Sequence, residues 1–478
     1  MAVDSPRPAP WESVPAHEQL FVLVTGANRQ VAPFDAGTLA RFKQKAKANW
    51  PPSIHLRLWK LTRPFLAANS GVGLGFAQRL IDDFLATRSL EAHLVILATT
   101  RSVGKPRRPC SGPAPSLRGV RVPRLDSVVF NAAYGGWEGC NYPMAVWSIL
   151  RKGLVQSVTW PDFKNALPTR ILNEQQSYGY PEKPLLGEVF AACVFGHYLL
   201  AHELLPLLGR RASSPLAPSR IVWSSSLEAV ADVFSIDDLQ GLTRANSYES
   251  AKRLTDVLAL TSGLPAARPF SSRWLDADRA VAPDGGETAG EKAEAPEAGA
   301  GAVVPPRVYL SHPGIVASTL FPVPWFLFWA YELALVVSRW LGSPWHCVDG
   351  YTGAAAAVWL SLQSQILLDE AHADRVKWGS SADRHGRVDV KKTEVEGWGW
   401  EGRPEDAQAF AADTAVGVLR KSIGRKYGVV DVTAEDIIRF EELGAACWKE
   451  MEELRSTWDD IIDDNDTPSS ISNGKLDE

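Results

Sequence analysis

Cysteine is scarce and scattered. The five thiols (Cys110, Cys140, Cys193, Cys347, Cys447) form no C-x-x-C pair and no metal-ligand spacing. That argues against a disulfide framework or a bound metal and suits a reducing compartment. The basic excess of a nucleic-acid binder is also missing: the net charge is −5 and the pI is near 6.1, so no electrostatic footprint for nucleic acid exists. Met1–Glu18 carries prolines and acids where a secretory leader has a basic and then an apolar region. No apolar run reaches the ~20 uninterrupted residues of a spanning helix, because Leu320–Gly342 is broken by Pro322, Pro324, Glu332 and Arg339. Methionine falls to 3 against 18 tryptophans, several of them in that same stretch. The remaining composition, 45% hydrophobic and 22% charged, is that of a globular chain with material for one large domain or two.

Within that frame the chain reads as strands and helices in alternation. Leu20–Thr25 is a buried strand ending at Gly26-Ala27-Asn28. Ser70-Gly71-Val72-Gly73-Leu74-Gly75 opens an amphipathic helix. Between them, residues 29–69 differ in character and interrupt a glycine-rich strand-turn-helix that would otherwise cradle a dinucleotide pyrophosphate. A loop of this length in such a turn is foreign to it. Residues 29–69 therefore read as an insertion, a translated intron or a family-foreign segment. Residues 1–19 form an N-terminal tail, and 20–28 with 70–318 form the nucleotide-binding domain. His93–Ser102 is a second strand, and Thr100, Arg101 and Ser102 at its end suit a 2′-phosphate, hence NADP. Ser127–Phe130 follows too soon. A parallel sheet needs a helical crossover between neighbouring strands, so a strand-helix segment is missing near 103–124.

Asn131-Ala132-Ala133 closes that next strand with small residues past which a cofactor ring can run. Residues 138–185 look irregular. Gly187–Leu208 is helical, with His197 and His202 as packing or surface residues. Arg220–Trp223 is a strand ending at Ser224-Ser225-Ser226. Residues 266–305 read as a disordered insertion. Arg307–Leu310 resumes the sheet before Pro313-Gly314-Ile315-Val316. Residues 319–345 fit a helix in a membrane interface, the roof of an apolar pocket, or a core helix. Residues 346–464 form a C-terminal extension whose charged helix, Thr433–Asp464, packs peripherally, and 465–478 are disordered.

The chemistry centres on Ser247–Leu260. Tyr248 and Lys252 stand at i and i+4 of this helical pattern, on one face. A neighbouring ammonium lowers the pKa of a phenol and makes an acid/base that works near neutrality. Hydroxyls at the tip of the strand ending in Ser224–Ser226 can hydrogen-bond a substrate carbonyl, and gain that meaning only beside Tyr248.

These stretches, in this order, resemble the short-chain dehydrogenase/reductase family. Lys377-Trp378-Gly379-Ser380 and Thr393–Gly399 are similar to its subgroup of fungal 3-keto-steroid reductases of sterol C-4 demethylation. The resemblance implies a Rossmann-type α/β fold with a doubly wound parallel sheet. It implies Tyr248 as proton donor, Lys252 as its partner and ribose ligand, and Ser226 or Ser225 at the carbonyl. NADPH would lie against Thr25, Gly26, Asn28, Ser70, Gly71, Gly73, Thr100, Arg101, Asn131, Lys252, Pro313, Gly314, Val316 and Thr319. The implied substrate is a sterol 3-ketone, the implied partners are other enzymes of the C-4 demethylation complex, and the implied location is the endoplasmic reticulum membrane or the lipid droplet. One departure stands out: Cys193 occupies a helix position where the family carries an asparagine that supports a proton-relay water, and a thiol is a weak substitute. Two other functions remain open: a membrane reductase of other lipid or retinoid-like carbonyls, and a scaffold of the sterol complex whose catalysis is lost.

Overall fold

The apolar run behind the glycine turn forms the middle of a sheet. In a computed structural model of the chain, residues 11–26, 54–61, 71–89, 91–101, 116–117, 120–172, 184–276, 302–318, 320–404 and 424–466 are described. Strand β1 (Gln19–Val24) pairs in parallel with β3 (His93–Arg101), from Gln19↔His93 to Val24↔Ala98, and on its other side with β4 (Ser127–Phe130). Strands β5 (Arg220–Ser224), β6 (Arg307–His312) and β7 (Lys377–Ala382) extend it in parallel, and β8 (Val388–Thr393) closes that side antiparallel to β7. With β2 (Ile54–Leu61) the order is β8-β7-β6-β5-β4-β1-β3-β2.

Side chains alternate between the two faces of a strand, and both faces here are covered. Val22 and Val24 pack with Phe76, Leu80 and Phe84 of α1 (Gly71–Thr87) and with Val358 and Leu360, which lie in a helix after β6. Phe21 and Leu23 face the opposite cluster. There lie α4, which runs Glu188–Phe190, a π turn Ala191–Phe195 and Gly196–Glu203, then α5 (Ser247–Thr261). The expected doubly wound Rossmann-type sheet is thus present, and burial on both faces explains why its strands are continuous apolar runs.

Two elements differ from the sequence-based expectation. Residues 138–185 contain two helices, α2 (Tyr142–Lys152) and α3 (Leu154–Thr159); Asn141 caps α2 by accepting from the Met144 amide, and Pro143 sits in its first turn. The charged C-terminal helix, Ala434–Asp466, is not peripheral. Its Phe440, Cys447, Trp448 and Met451 join the main core, and the Trp448 indole donates to the Leu258 carbonyl of α5 at 3.2 Å. His197, expected as packing or surface, is a packing residue, fully buried and hydrogen-bonded.

Residues 29–69 contribute β2, which pairs in parallel with the outer edge of β3 from Ile54↔Leu94 to Leu61↔Arg101. Between β3 and β4, the described residues supply only the short antiparallel pair Ser116–Leu117 and Val120–Arg121, and neither joins the main sheet. Without β2 the outer edge of β3 would be open, and β2 covers it.

Candidate functional site

The C-terminal tips of β4, β5 and β6 converge on a cavity of about 300 Å3, where an open parallel sheet binds ligands. Part of its wall is strand tip and turn: Asn131, Ala133, Ser224, Pro313, Gly314 and Val316, with Val72 from the first turn of α1. Another part is apolar and aromatic: Trp137, Phe163, Phe321, Leu327 and Tyr331. Tyr248, Lys252, Ser225 and Ser226 line the same space.

Tyr248 sits in the first turn of α5, a helix buried along its whole length. The Trp137 ring lies 4.7 Å away, edge to face. Burial pushes the phenol pKa well above its ordinary range; Cys193 and Glu228 add to this, and a hydrogen bond with the Ser226 hydroxyl opposes it. Burial, and not the expected lowering by Lys252, governs this phenol. The Lys252 ammonium is 5.7 Å from the centre of the Tyr248 ring and donates to the Ser224 carbonyl at 2.7 Å. Its own pKa is lowered, by burial before anything else. Tyr248 therefore holds its proton through the neutral range.

The two candidate serines face different ways. Ser225 is buried and donates to the Asp256 carboxylate. Ser226 meets Tyr248, and its Oγ accepts from the Glu228 amide at 3.1 Å. Beneath them Lys377 reaches from β7: its Nζ donates to the Ser226 carbonyl and to Asp256 Oδ2, both at 2.6 Å, with the Lys377 and Asp256 side chains 3% and 0% exposed. Lys377 lies in a stretch that carried the family resemblance, but nothing in the sequence pairs it with Asp256 or Ser226.

At the strand tips Thr25 is the hub. Its Oγ1 accepts from the amides of Asn131 and Ala132, both at 3.0 Å, so its own proton goes to His197 Nε2, 3.0 Å away. His197 Nδ1–H then donates to the Cys193 carbonyl at 3.2 Å. Burial pushes His197 down to about 3, which keeps it in this neutral form. Asn131 Nδ2 donates to the Thr25 carbonyl at 3.2 Å. Gly26 takes a left-handed φ of 66° and donates its amide to Thr99. Gly314, at φ 67°, donates to His312 Nδ1 at 3.0 Å, and any side chain there would run into the Trp345 carbonyl. Gly71 opens α1 and Gly73 lies in its first turn, while Thr100 and Arg101 end β3. Asn28, Ser70 and Thr319 lie outside the described residues.

Cys193 stands in the π turn of α4, the kind of local widening that recurs at functional sites. Its Sγ accepts from the Tyr134 amide and donates to the Tyr134 carbonyl, both at 3.4 Å. The thiol thus fastens the loop after β4.

Similarity to known proteins runs along most of the chain. It is 48% identical over 522 aligned positions to a 3-keto-steroid reductase of Gibberella zeae, covering 96% of this chain and 98% of that one. It is 38% identical over 443 positions to a 3-keto-steroid reductase of Aspergillus fumigatus, covering 83% and 94%. A 3-keto-steroid reductase of Schizosaccharomyces pombe is 26% identical over 361 positions, covering 69% and 89%. No family model and no solved structure matches the chain. The first alignment is longer than the chain's 478 residues, so the Gibberella protein has residues without a counterpart here.

The buried pair gives a stability prediction. Replacing Lys377 by methionine strands the Asp256 charge in the core, a change that typically costs about 3–5 kcal/mol. Lys377→Met is expected to unfold at markedly lower denaturant than the parent, and adding Asp256→Asn to recover part of the loss. A single variant within about 1 kcal/mol of the parent would show that the pair does not hold the serine turn.

Proposed function

The chain belongs to the fungal 3-keto-steroid reductase family, and on that premise we propose that it reduces the 3-keto group of a C-4-demethylated sterol intermediate to the 3β-hydroxyl, with NADPH, in ergosterol biosynthesis. The observation that carries this reading is a buried phenol beside a serine hydroxyl, both lining a cavity that is strand tip on one wall and aromatic on another.

The residues present fit a nicotinamide dinucleotide. Gly26 is left-handed where the chain leaves β1, and α1 turns its N-terminal end to the cavity at Val72, an arrangement that suits a pyrophosphate. Thr25, Gly26, Asn28, Ser70, Gly71 and Gly73 would hold the pyrophosphate half. Asn131, Lys252, Pro313, Gly314, Val316 and Thr319 would hold the nicotinamide half, with Thr100 and Arg101 at the 2′-phosphate. Bound there, NADPH supplies the hydride.

The protein's part is to orient the ketone and deliver a proton. Ser226 donates to the ketone oxygen. Tyr248 passes its proton to that oxygen as alkoxide character develops, and a loaded phenol is a much stronger acid than the alcohol formed. Lys252 braces the serine turn through the Ser224 carbonyl. The aromatic wall excludes water around the reacting carbon.

Two features of the chain extend the reading. The relative's extra length supports 103–124 as the scar of a lost strand-helix segment, and the foreign composition of 29–69 supports an insertion, a retained intron in origin; finding 29–69 in the mature transcript would sink the intron origin. A membrane seat is supported by an aromatic surface. Trp325 is 87% exposed, Leu150 76% and Trp329 66%. Trp325 leads into α6 (Phe328–Trp340), and α3 packs against both α2 and α6. Tyr142, Leu327 and Tyr331 of the same elements wall the cavity. No described helix is long and apolar enough to cross a membrane. We place this face in the interface of the endoplasmic reticulum or lipid-droplet membrane, with the sterol entering from the lipid. Contact with other enzymes of sterol C-4 demethylation is proposed from the resemblance alone.

The function is tested by product analysis with the full-length chain and a 3-keto sterol. Reduction is expected with NADPH in preference to NADH, and to be lost at strongly alkaline pH, where the raised phenol pKa is passed. Tyr248→Phe should lower it about 10²–10⁴-fold. Turnover of retinoid-like carbonyls without the sterol would transfer the assignment to the other reductase class, and equal use of NADH would remove Arg101 as selector.

For the membrane seat, replacing Trp147, Trp325, Phe326 and Trp329 by serine is expected to move the protein from the membrane pellet to the supernatant. A parent chain that stays in the supernatant without detergent would overturn it.

A further inference from the structure

Beside Tyr248 lies a buried charge cluster for which the reaction has so far no use. Lys164 Nζ reaches Glu228 Oε2 at 2.6 Å and also Glu249 Oε1, with the three side chains 3%, 12% and 8% exposed. The ammonium is 4.1 Å from the centre of the Trp137 ring and 6.0 Å from that of Tyr248. Glu249 Oε2 has no hydrogen-bond partner. Among the described residues that line the cavity, Glu228 is the sole carboxyl, and its backbone amide already holds the Ser226 hydroxyl that touches Tyr248.

One ammonium cannot neutralise two buried carboxylates, and a buried excess charge is expensive. A structural ion pair needs only one of them. A neutral sterol ketone offers no cation for the other to recognise. The economical state is one shared proton, and that proton stands next to the group that loses one in every turnover. The Cys193 thiol, by contrast, is fixed on Tyr134 in both directions.

We propose that the Glu228–Lys164–Glu249 cluster is the proton reservoir that reloads Tyr248 through the Ser226 hydroxyl. The proposal rests on the reductase reading above. As the ketone oxygen gains its proton, the Tyr248 O–H bond breaks and a phenolate remains. The Ser226 proton moves to that phenolate while the Glu228 carboxyl proton moves to the Ser226 oxygen. The Glu228 carboxylate is left against Lys164, and solvent at the cavity mouth returns one proton to it. The sum is one solvent proton for each ketone reduced. The groups facing Glu228 are Lys164, Glu249, Tyr248 and Tyr331, whose phenol it helps to push up. Burial raises the Glu228 pKa above the usual carboxylate range, Lys164 opposes this, and Glu249 adds to it.

Glu228→Gln keeps the shape and removes the transferable proton. In rapid mixing of the full-length chain with NADPH and a 3-keto sterol, its first turnover is expected near the parent's rate, because Tyr248 starts loaded. Later turnovers should be about 10²-fold slower, giving a burst the parent lacks, and acetic acid in the buffer should restore part of the steady rate. First and later turnovers slowed equally, or no slowing at all, would overturn the proposal. Infrared difference spectra of parent against Glu228→Gln supply a readout free of activity. A protonated-carboxyl band that titrates above the ordinary carboxylate range supports the reservoir, and its absence overturns it. Glu249→Gln should move that titration to lower pH, and an unmoved band would overturn the sharing. If the band is present but no 3-keto sterol is reduced, the reservoir stands and the assigned reaction falls.

Discussion

The site depends on one buried ion pair. Lys377 enters from β7 and Asp256 from α5, and between them they hold both serines of the turn after β5: Asp256 takes the Ser225 hydroxyl and Lys377 takes the Ser226 carbonyl. With Ser225 turned inward, Ser226 is left facing Tyr248. A buried pair adds little net stability, since desolvation consumes most of the Coulombic gain, but losing one partner is severe. Such a pair is well suited to setting position. It fixes the register between a strand tip and a helix that supply the two hydroxyls proposed to act on one carbonyl oxygen, where small displacements carry large rate penalties.

How much of this was legible in the sequence follows from the range of each interaction. Tyr248 and Lys252 are one helical turn apart, so local periodicity placed them on one face. The strand tips were legible too, because fully buried parallel strands are short apolar runs ending in small or polar residues. Ser225 and Ser226 were not separable, since the deciding partner, Lys377, comes from a strand far along the chain. Lys164, Glu228 and Glu249 carry no spacing signal for the same reason. The C-terminal helix misled through its charge. Its Phe440, Cys447, Trp448 and Met451 recur at one helical face, and Trp448 completes a stack of Trp274 and Tyr198 in the core. The cap of α2 was visible as Asn141-Tyr142-Pro143 but was lost among prolines and tryptophans that read as irregular.

At the sheet edge, tertiary need overrides sequence character. A strand with an unpaired edge is a liability, and Ile54–Leu61, from a stretch alien in composition to its flanks, pairs along β3 for its whole length. Pairing of this kind uses backbone groups alone and asks little of the side chains. The alternation Ile54-His55-Leu56-Arg57-Leu58 carries a strand signal that the foreign composition of 29–69 masks.

Two charge systems flank Tyr248 and differ in what surplus they hold. On the serine-turn side, Lys252 and Lys377 stand with one carboxylate, Asp256, and the excess is positive. On the aromatic side, Lys164 stands between Glu228 and Glu249, and the excess is negative unless a proton is kept. A phenol between them has a cationic side that favours the phenolate formed in the reaction and an anionic side that favours its reprotonation. Burial alone would make Tyr248 hard to ionise. A reductase needs that for the loaded state and then needs the proton restored without opening the cavity to water. Carboxylates buried together on one lysine meet the second requirement: burial, and then the repulsion of Glu249, raise the proton affinity of Glu228 above that of an ordinary carboxylate. The asymmetry of charge around the tyrosine, more than the tyrosine-lysine spacing itself, is what this fold adds to the chemistry.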